Sequence, residues 1–318
     1  MAPPLDLLVT GETLVDFLPH HAGPLRAATG FELHGGGAPA NVAIGAARLG
    51  ARTGFLGVVG DDEFGWFLRQ NFEREGVDVT GLRMALGVQT GLCFITLGAD
   101  GERSFTHRGG AAHTLFGLED VAPERVRPAR ALCFSSGVMR TQAGAQAMER
   151  LIDGWHGLIT SDPGTFPKSW GDPVAARERL LPSLARCHVV KCSSEETLFL
   201  TDEVDPRRAA RRLVARGAEL AVVTCGSRGA VFARAEDEGS VAAPATTVVD
   251  TTGAGDAFMA ALLSRLARDH ARPALLSVEL LHEHLAFAAR IGALACTRKG
   301  AVTGIPRMGG DVVEGAGP

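Results

Sequence analysis

Near its C-terminal end the chain reads Val249-Asp250-Thr251-Thr252-Gly253-Ala254-Gly255-Asp256-Ala257-Phe258, and an apolar, helix-forming stretch follows. A glycine-rich turn that leads into a helix places several unpaired backbone N–H groups at one point, where the positive end of the helix dipole attracts anions. Asp256 falls in the same first turn, so an anion site and a carboxylate lie side by side. Phosphoryl transfer to a hydroxyl needs this pair, because the turn holds the phosphate charge and the carboxylate accepts the hydroxyl proton.

Two other interpretations of this stretch stay open on these residues alone. Glycines loosen turns, and an aspartate in a first turn complements the helix dipole without any chemistry. A dinucleotide-binding fingerprint requires a third glycine at position 258, where Phe258 stands, so an α/β dehydrogenase is disfavoured. The sequence contains no G-x-x-x-x-G-K-[ST] run, which excludes a Walker-type NTPase.

Composition narrows the classes of function. The 318 residues are 46% apolar and 21% charged, which allows a sizeable core. The net charge of −4 provides no broad basic surface, so we expect no nucleic-acid partner. No apolar run is long enough for a membrane span and no signal-like segment is present, so we expect a cytoplasmic protein without membrane contact. The six cysteines form no C-x-x-C pair and are expected to be buried free thiols.

Short apolar runs alternate with helical patterns along most of the chain. Strands are predicted at residues 5–10, 53–59, 131–135, 158–161, 189–192 and 220–225. Helices are predicted at residues 40–49, 63–75, 141–153, 207–216, 254–268 and 279–297. Such alternation predicts an α/β fold that is doubly wound, with a mostly parallel sheet covered by helices on both faces in a three-layer αβα arrangement.

Two segments interrupt this alternation. Residues 12–33 contain strand-like pieces without a helix, and Asp100-Gly101 separates two β runs within 91–107, which is a strong hairpin signal. We expect both to form a small β-sheet that acts as a lid, because ligands of parallel sheets bind at the carboxyl ends of the strands. The predicted organisation is a core of residues 1–11, 34–90 and 108–308, a β lid of 12–33 and 91–107, and a flexible tail of 309–318.

Polar residues in the N-terminal part match the needs of a sugar site. Gly36 and Gly37 precede a predicted helix and allow a ligand to approach the backbone, while Asn41 offers both a donor and an acceptor to a polyol. Asp16 ends a strand-like run, and a carboxylate is able to bind two adjacent sugar hydroxyls. The structural alternatives are an ordinary loop with a buried asparagine and a solvated turn residue.

The ends of two predicted strands carry further candidates. Ser193 and Glu196 have the spacing of a capping box, although Glu196 would also suit a metal–phosphate complex. After the next strand, Gly226 and Gly229 follow Thr224 and would either line a nucleotide or simply turn the chain. Neither pattern decides between structure and function by itself.

Taken together, these segments resemble the ribokinase (PfkB-type) family of sugar kinases. Gly36-Gly37-x-x-x-Asn41 is similar to the N-terminal signature of that family, and residues 250–256 are similar to its C-terminal signature. The second signature is highly specific in this order, and the resemblance runs from about residue 7 to 306. It implies a doubly wound α/β core with a β lid, ATP-dependent phosphorylation of a sugar hydroxyl, and a homodimer joined through the lids.

The resemblance also implies a role for each matching residue. Asp256 would be the catalytic base, with the anion hole formed by Gly253, Ala254 and Gly255. The sugar would be bound by Asp16, Gly36, Gly37 and Asn41. ATP would lie along Ser193, Thr224, Gly226 and Gly229. Glu196 matches a position linked to Mg²⁺, and Asp250 and Thr252 match positions that bind a monovalent cation such as K⁺ in some members.

The residues around the expected sugar resemble fructokinases most. Pro39 stands where ketodeoxygluconate kinases often place an acid, and Phe166 replaces an arginine of the D-P-N-x-R pattern, which favours a neutral sugar. Arg108 is then the obvious cation near the lid and a candidate for substrate binding. The alternatives are a 2-keto-3-deoxygluconate kinase, a ribokinase or nucleoside kinase and, in another class, a non-catalytic sugar or nucleotide sensor. The intact Asp256 ranks the sensor below the kinases.

Overall fold

The computed structural model describes residues 4–97, 103–108, 112–164, 170, 172–235, 237–270 and 272–308. The strands within these ranges are β1 Leu5–Thr10, β2 Leu14–Pro19, β3 Phe31–Gly36, β4 Thr53–Gly60, β5 Leu82–Ala85, β6 Leu92–Leu97, β7 Arg103–Arg108, β8 Ala129–Phe134, β9 Leu158–Ser161, β10 Val189–Ser193, β11 Leu220–Thr224, β12 Ala230–Arg234 and β13 Asp237–Val241. The α-helices of more than one residue in the same ranges are α1 Ala38–Arg48, α2 Glu63–Arg74, α3 Gln142–Asp153, α4 Pro173–Leu184, α5 Thr197–Thr201, α6 Pro206–Ala215, α7 Ala254–Asp269 and α8 Val278–Ala295.

The large sheet has nine strands in the described residues, in the order β13-β12-β11-β10-β9-β8-β1-β4-β5. Its strands are parallel except for β12, which is antiparallel to both neighbours. The chain runs from β1 outward to β4 and β5, and later returns to β8 on the other side of β1. The carboxyl end of β1 is therefore a topological switch point, where doubly wound sheets bind their ligands.

Helices cover both faces of this sheet because its strands are apolar on both sides. One buried cluster includes Leu7 and Phe55 and packs against α1, α2, α7 and α8, with Phe55 stacked on Phe72 at 4.6 Å between ring centroids. The other includes Leu8 and Leu132 and packs against α3, α4, α5 and α6. Each fully buried side chain of this size stabilises the fold by roughly 1.5–3 kcal/mol. The predicted doubly wound, three-layer α/β fold is confirmed.

A second, four-stranded sheet has the order β3-β2-β6-β7 within the described residues. β2 pairs parallel with β6, and the two outer pairs are antiparallel, which confirms the small separate sheet. On one of its faces Phe17 stacks on Phe94 at 4.8 Å and contacts Phe64 of α2 at 5.8 Å, so this face is partly covered by the core of the same chain. The predicted Asp100-Gly101 turn lies outside the described residues.

The element boundaries differ from the prediction in a few places. Helix α4 and the β12–β13 hairpin were not predicted, and β3 extends to Gly36 while β7 ends at Arg108. The division into a core and a lid domain stays a prediction, and the predicted tail 309–318 lies outside the described residues.

The six cysteines are free, and five of them are buried. Within the described ranges no helix combines the length and apolar character that a bilayer-spanning segment needs.

Candidate active site

The turn before α7 has the geometry of an anion site. Gly253 is the N-cap of α7 with φ = 74°, a left-handed conformation that favours glycine, and a Cβ there would overlap the carbonyl of Ala301. Ala254 and Gly255 are the first two residues of the helix, and Asp256 follows in the same first turn. The first-turn N–H groups of this 16-residue helix therefore converge beside the Asp256 carboxylate, and the Ala254 N–H also donates to the carbonyl of Thr251 at 3.3 Å.

Asn41 connects the two glycine-rich segments. Its Nδ2 donates a hydrogen bond to Oδ2 of Asp256 at 2.8 Å, because α1 packs directly against α7. The Oδ1 of Asn41 is buried and has no hydrogen-bond partner among the described residues. A buried amide oxygen without a donor is costly, so this atom is suited to accept a hydrogen bond from a ligand hydroxyl.

Asp16 lies on β2 of the small sheet and packs against Gly36 on β3. The Asp16 carboxylate occupies the space in which a side chain at position 36 would lie. The adjacent Gly37 has φ = 103° and begins the entry into α1. Asp16, Gly36, Gly37 and Asn41 are thus brought together by the junction between β3 and α1, as their predicted shared role requires.

Arg108 is not brought to this group by the sheet register. Asp16 pairs with Cys93, and Cys93 pairs with His107, so these side chains share one face. Arg108 pairs with Leu92 on the opposite face, is exposed, and donates from Nη1 to the carbonyl of His107 at 2.9 Å. Its predicted role in substrate binding stays a prediction that this placement does not support.

A buried ion pair lies beside the turn at Gly253–Gly255, called the anion turn below, and was not identified from the sequence. Lys191 on β10 donates from Nζ to Oδ2 of Asp162 at 2.8 Å, and the two residues are 3% and 5% exposed. Burial acts to lower the pKa of Lys191, but the carboxylates of Asp162, Glu196 and Asp256 outweigh it and raise that pKa above its ordinary value. The available signal was a lysine inside the otherwise apolar run Val189–Cys192.

Glu12 is a second group that sequence reasoning did not assign to the site. It lies between β1 and β2, and its Oε2 accepts a hydrogen bond from the Ser135 hydroxyl at 2.7 Å. A Cβ at position 137 would overlap the Glu12 carboxylate, so Gly137 makes room for it. Burial raises the pKa of Glu12, and the nearby Asp256 acts in the same direction while Arg140 opposes it. Glu12 therefore adds a carboxylate to the switch point beside β1.

The Asp256 carboxyl has the electrostatic surroundings of a tuned base. Burial raises its pKa above the ordinary range, whereas the Lys191 ammonium and the hydrogen bond from Asn41 act to lower that pKa. The nearby Glu196 raises it further. A carboxyl with a raised pKa is a stronger base towards a hydroxyl than an ordinary aspartate, provided that it is ionised.

Asp250 and Thr252 lie at the start of the same turn. The Asp250 carboxylate accepts hydrogen bonds from the Thr252 N–H at 2.7 Å and the Gly300 N–H at 2.9 Å, and thereby ties the turn to the loop after α8. The Thr252 hydroxyl is buried without a hydrogen-bond partner in the part of the chain that the structure describes. This hydroxyl and a buried carboxylate fit the oxygen ligands that a monovalent cation would need.

The Ser193–Glu196 pair is built differently from a standard capping box. Oε2 of Glu196 accepts hydrogen bonds from both the N–H and the hydroxyl of Ser193, at 2.8 and 2.9 Å, and helix α5 begins only after Glu196. Among the described residues no three His, Cys, Asp or Glu side chains are grouped to bind a metal ion. A magnesium ion here would take most of its ligands from phosphates and water, with Glu196 nearby, as is usual for Mg²⁺.

The candidate nucleotide residues lie beside Ser193. Thr224 is paired with Ser193 across β11 and β10, and the Ser194 N–H donates to the Thr224 carbonyl at 2.9 Å. Gly226 and Gly229 both have positive φ, 58° and 86°, and a Cβ at Gly229 would overlap the carbonyl of Val241. The turn geometry therefore explains both glycines without a ligand.

Comparisons with known proteins agree with this geometry. The chain matches the family model described as pfkB family carbohydrate kinase over residues 5–308. It is 35% identical over 303 residues to probable fructokinase-2 of Arabidopsis thaliana, with 93% of this chain and 91% of the relative covered. It is also 35% identical to aminoimidazole riboside kinase of Salmonella typhimurium, with 94% and 91% covered.

A solved structure shows the same architecture. The fructokinase from Vibrio cholerae O395, in its fructose-, ADP- and calcium-ion-bound form, is 30% identical and superimposes with a TM-score of 0.83 over 95% of this chain and 96% of its own. The chain therefore belongs to the pfkB family of carbohydrate kinases, and it is a sugar kinase with the ribokinase-like fold. The family predicted from the two glycine-rich signatures is confirmed.

Proposed function

We propose that this enzyme transfers the γ-phosphoryl group of ATP to a terminal hydroxyl of a small monosaccharide, with fructose as the first candidate. The observation that carries the proposal is the 2.8 Å hydrogen bond from Asn41 to Asp256. It brings a polyol-binding amide, a carboxylate and the anion turn at Gly253–Gly255 to one point. A hydroxyl bound at Asn41 would then lie next to the group that accepts its proton.

The chemistry assigns one task to each group. The Asp256 carboxylate accepts the proton of the sugar hydroxyl, the sugar oxygen forms a bond to the γ-phosphorus, and the bond to the leaving oxygen of ADP breaks. Because the transition state is loose, the proton leaves late and a carboxylate suffices as the base. The backbone N–H groups of the turn offset the charge on the transferred phosphoryl oxygens. Most of the rate then comes from alignment and charge compensation.

The nucleotide and its ions are proposed to lie across the ends of β10 and β11. Thr224, Gly226 and Gly229 would contact ATP, while Ser193 and Glu196 would lie near its phosphates. Mg²⁺ bound beside Glu196 would neutralise phosphate charge. The Thr252 hydroxyl, which has no hydrogen-bond partner among the described residues, and the Asp250 carboxylate support K⁺ as a second, structural cation.

The identity of the sugar rests on likeness to relatives and on charge. Fructokinases are prominent among the relatives, and Pro39 on α1 adds no charge to the sugar site. Phe166 lies outside the described residues, and the register places Arg108 on the face opposite Asp16. A neutral ketose is therefore favoured over a ketodeoxy acid. A riboside is the second candidate, because a relative of equal identity is an aminoimidazole riboside kinase.

A substrate panel tests the proposal. ADP release is measured with ATP and Mg²⁺ on fructose, ribose, 2-keto-3-deoxygluconate and aminoimidazole riboside. We expect the largest kcat/KM on fructose. A clear preference for the keto acid would replace the proposed substrate and leave the kinase chemistry intact, whereas absence of ADP release with every sugar would contradict the proposed activity.

We also propose that two chains associate through the small sheet. β7 is an edge strand of that sheet in the described residues, and Phe105 on it is 52% exposed. Open strand edges with exposed apolar side chains tend to pair with another strand. The face of the small sheet that carries Phe17 and Phe94 is partly covered by α2 of the same chain. The β7 edge is therefore the better candidate for the contact between two chains.

A further inference from the structure

Gly253 and Gly255 lie in the same turn but are needed for different reasons. Gly253 has a left-handed backbone, φ = 74°, which explains the glycine by conformation. Gly255 is helical and would permit a side chain as far as its backbone is concerned. A Cβ at Gly255 would, however, lie 2.8 Å from Nζ of Lys191. The missing side chain at Gly255 thus leaves room for the ammonium group to lie against the anion turn.

Without the Lys191 ammonium, the surroundings of the turn would carry an uncompensated negative charge. Lys191 interacts with three carboxylates, those of Asp162, Glu196 and Asp256. The proposed reaction brings the negatively charged phosphates of ATP to the same turn. Like charges in a poorly solvated site repel each other more strongly than in water, so a site with these carboxylates and no cation would disfavour the phosphoryl group.

Resting on the proposed function, we propose that Lys191 is a positioning residue for phosphoryl transfer, whose buried ammonium offsets negative charge at the Gly253–Gly255 turn when the γ-phosphoryl group lies there. Asp162 fixes the ammonium through its 2.8 Å hydrogen bond. Lys191 keeps its proton throughout, since the hydroxyl proton goes to Asp256. The residue contributes charge through the turn and makes no covalent bond.

The competing explanation is that Lys191 serves only to neutralise Asp162 inside the fold. Breaking a buried ion pair on one side destabilises a protein because a charge is left uncompensated, whereas replacing both partners by neutral groups of similar size is often tolerated. The double substitution Lys191→Met with Asp162→Asn therefore separates the two explanations. It removes both charges and keeps the volume at both positions similar.

The experiment compares wild type, Lys191→Met and the double variant by thermal unfolding, by kcat with fructose, and by calorimetric binding of AMP-PNP and of ADP. A matched control removes the partly buried pair Arg83–Asp120, in which Arg83 of the edge strand β5 donates from Nε to Oδ1 of the buried Asp120 at 2.6 Å, through Arg83→Met with Asp120→Asn. We expect the double variant at 191 and 162 to recover much of the thermal stability lost by Lys191→Met. Its kcat should stay about 10²-fold below wild type, in line with the loss of one preorganised charge-stabilising group.

Binding provides a readout that does not depend on turnover. The double variant should lose roughly ten-fold in affinity for AMP-PNP, which carries a γ-phosphoryl group, and little for ADP. The control pair should change neither kcat nor this difference. Wild-type kcat and an unchanged AMP-PNP affinity in a stable double variant would overturn the inference. If wild type phosphorylates no sugar, the proposed function fails, and the AMP-PNP comparison still decides the role of Lys191.

Discussion

Replacing Asp256 by asparagine removes the proposed base with little change in shape. Asparagine has the same number of side-chain heavy atoms as aspartate, and its amide oxygen is able to accept the hydrogen bond that Asn41 Nδ2 donates at 2.8 Å in wild type. The substitution also removes a carboxylate whose burial is unfavourable. We therefore expect Asp256→Asn to fold normally and to bind sugar and ATP within a few-fold of wild type.

The expected loss lies in the chemical step. General-base catalysis contributes about 10²- to 10⁴-fold to rate, and each factor of ten corresponds to about 1.4 kcal/mol in the activation free energy. The amide cannot accept the hydroxyl proton, while alignment at the anion turn is retained. We expect kcat to fall by at least about 10²-fold, or roughly 2.7 kcal/mol, with the KM for both substrates nearly unchanged.

The assay is steady-state ADP release with fructose, combined with calorimetric binding of fructose and of AMP-PNP to the same preparation. Asn41→Ser is assayed beside it, because this variant removes the hydrogen bond from Asn41 Nδ2 to Asp256 and leaves the Asp256 carboxylate in place. Turnover of Asp256→Asn near the wild-type rate, in a preparation free of wild-type enzyme, would refute the role of Asp256 as the base.

Three further outcomes are expected. Asp16→Ala and Asn41→Ala should raise the KM for the sugar far more than the KM for ATP, since each lost polar contact costs on the order of 1–3 kcal/mol; equal effects on both substrates would argue against a sugar-specific role. The raised pKa of Asp256 should place the acid limb of the pH profile of kcat/KM above pH ~4, because activity is lost as the pH falls through the pKa of the base; a limb at the ordinary aspartate value would contradict its tuning. Phe105→Glu on β7 should shift the protein from dimer to monomer in sedimentation velocity without loss of folding, and an unchanged dimer would exclude this edge as the contact.

Much of the fold was predictable because its signals are local. Alternating strand and helix patterns and the glycine-rich turns act over a few residues, and they located α1, α2, α7 and the main parallel strands. Helix α4 was missed because it contains Pro173 and Pro182, which disfavour helix interiors. The structure has Pro173 in the first turn, where no N–H bond is lost, and Pro182 close to the end of the helix.

The site was predictable to the extent that its residues belong to the two signatures. The contact between Asn41 and Asp256 depends on the packing of α1 against α7, which sequence spacing does not reveal. Lys191 was not singled out, because nothing in the sequence shows that its strand places the ammonium beside the turn at Gly255. Arg108 was chosen for its closeness to the lid in sequence. A shift of one residue along a strand reverses the face, so the strand register had to be known before its side chain was placed.

The contacts of the Asp250 carboxylate connect the proposed nucleotide site with the proposed sugar site. It joins the peptide groups of Thr252 and Gly300, and the neighbouring Lys299 faces Glu32 on β3 at 3.4 Å. These contacts connect β3 to the Gly253–Gly255 turn through one loop and one half-exposed ion pair. Because thermodynamic linkage is reciprocal, a sugar that shifts β3 changes the affinity for nucleotide by the same factor by which nucleotide changes the affinity for sugar. If sugar binding displaces β3, this connection predicts that the two substrates bind cooperatively before any bond is broken.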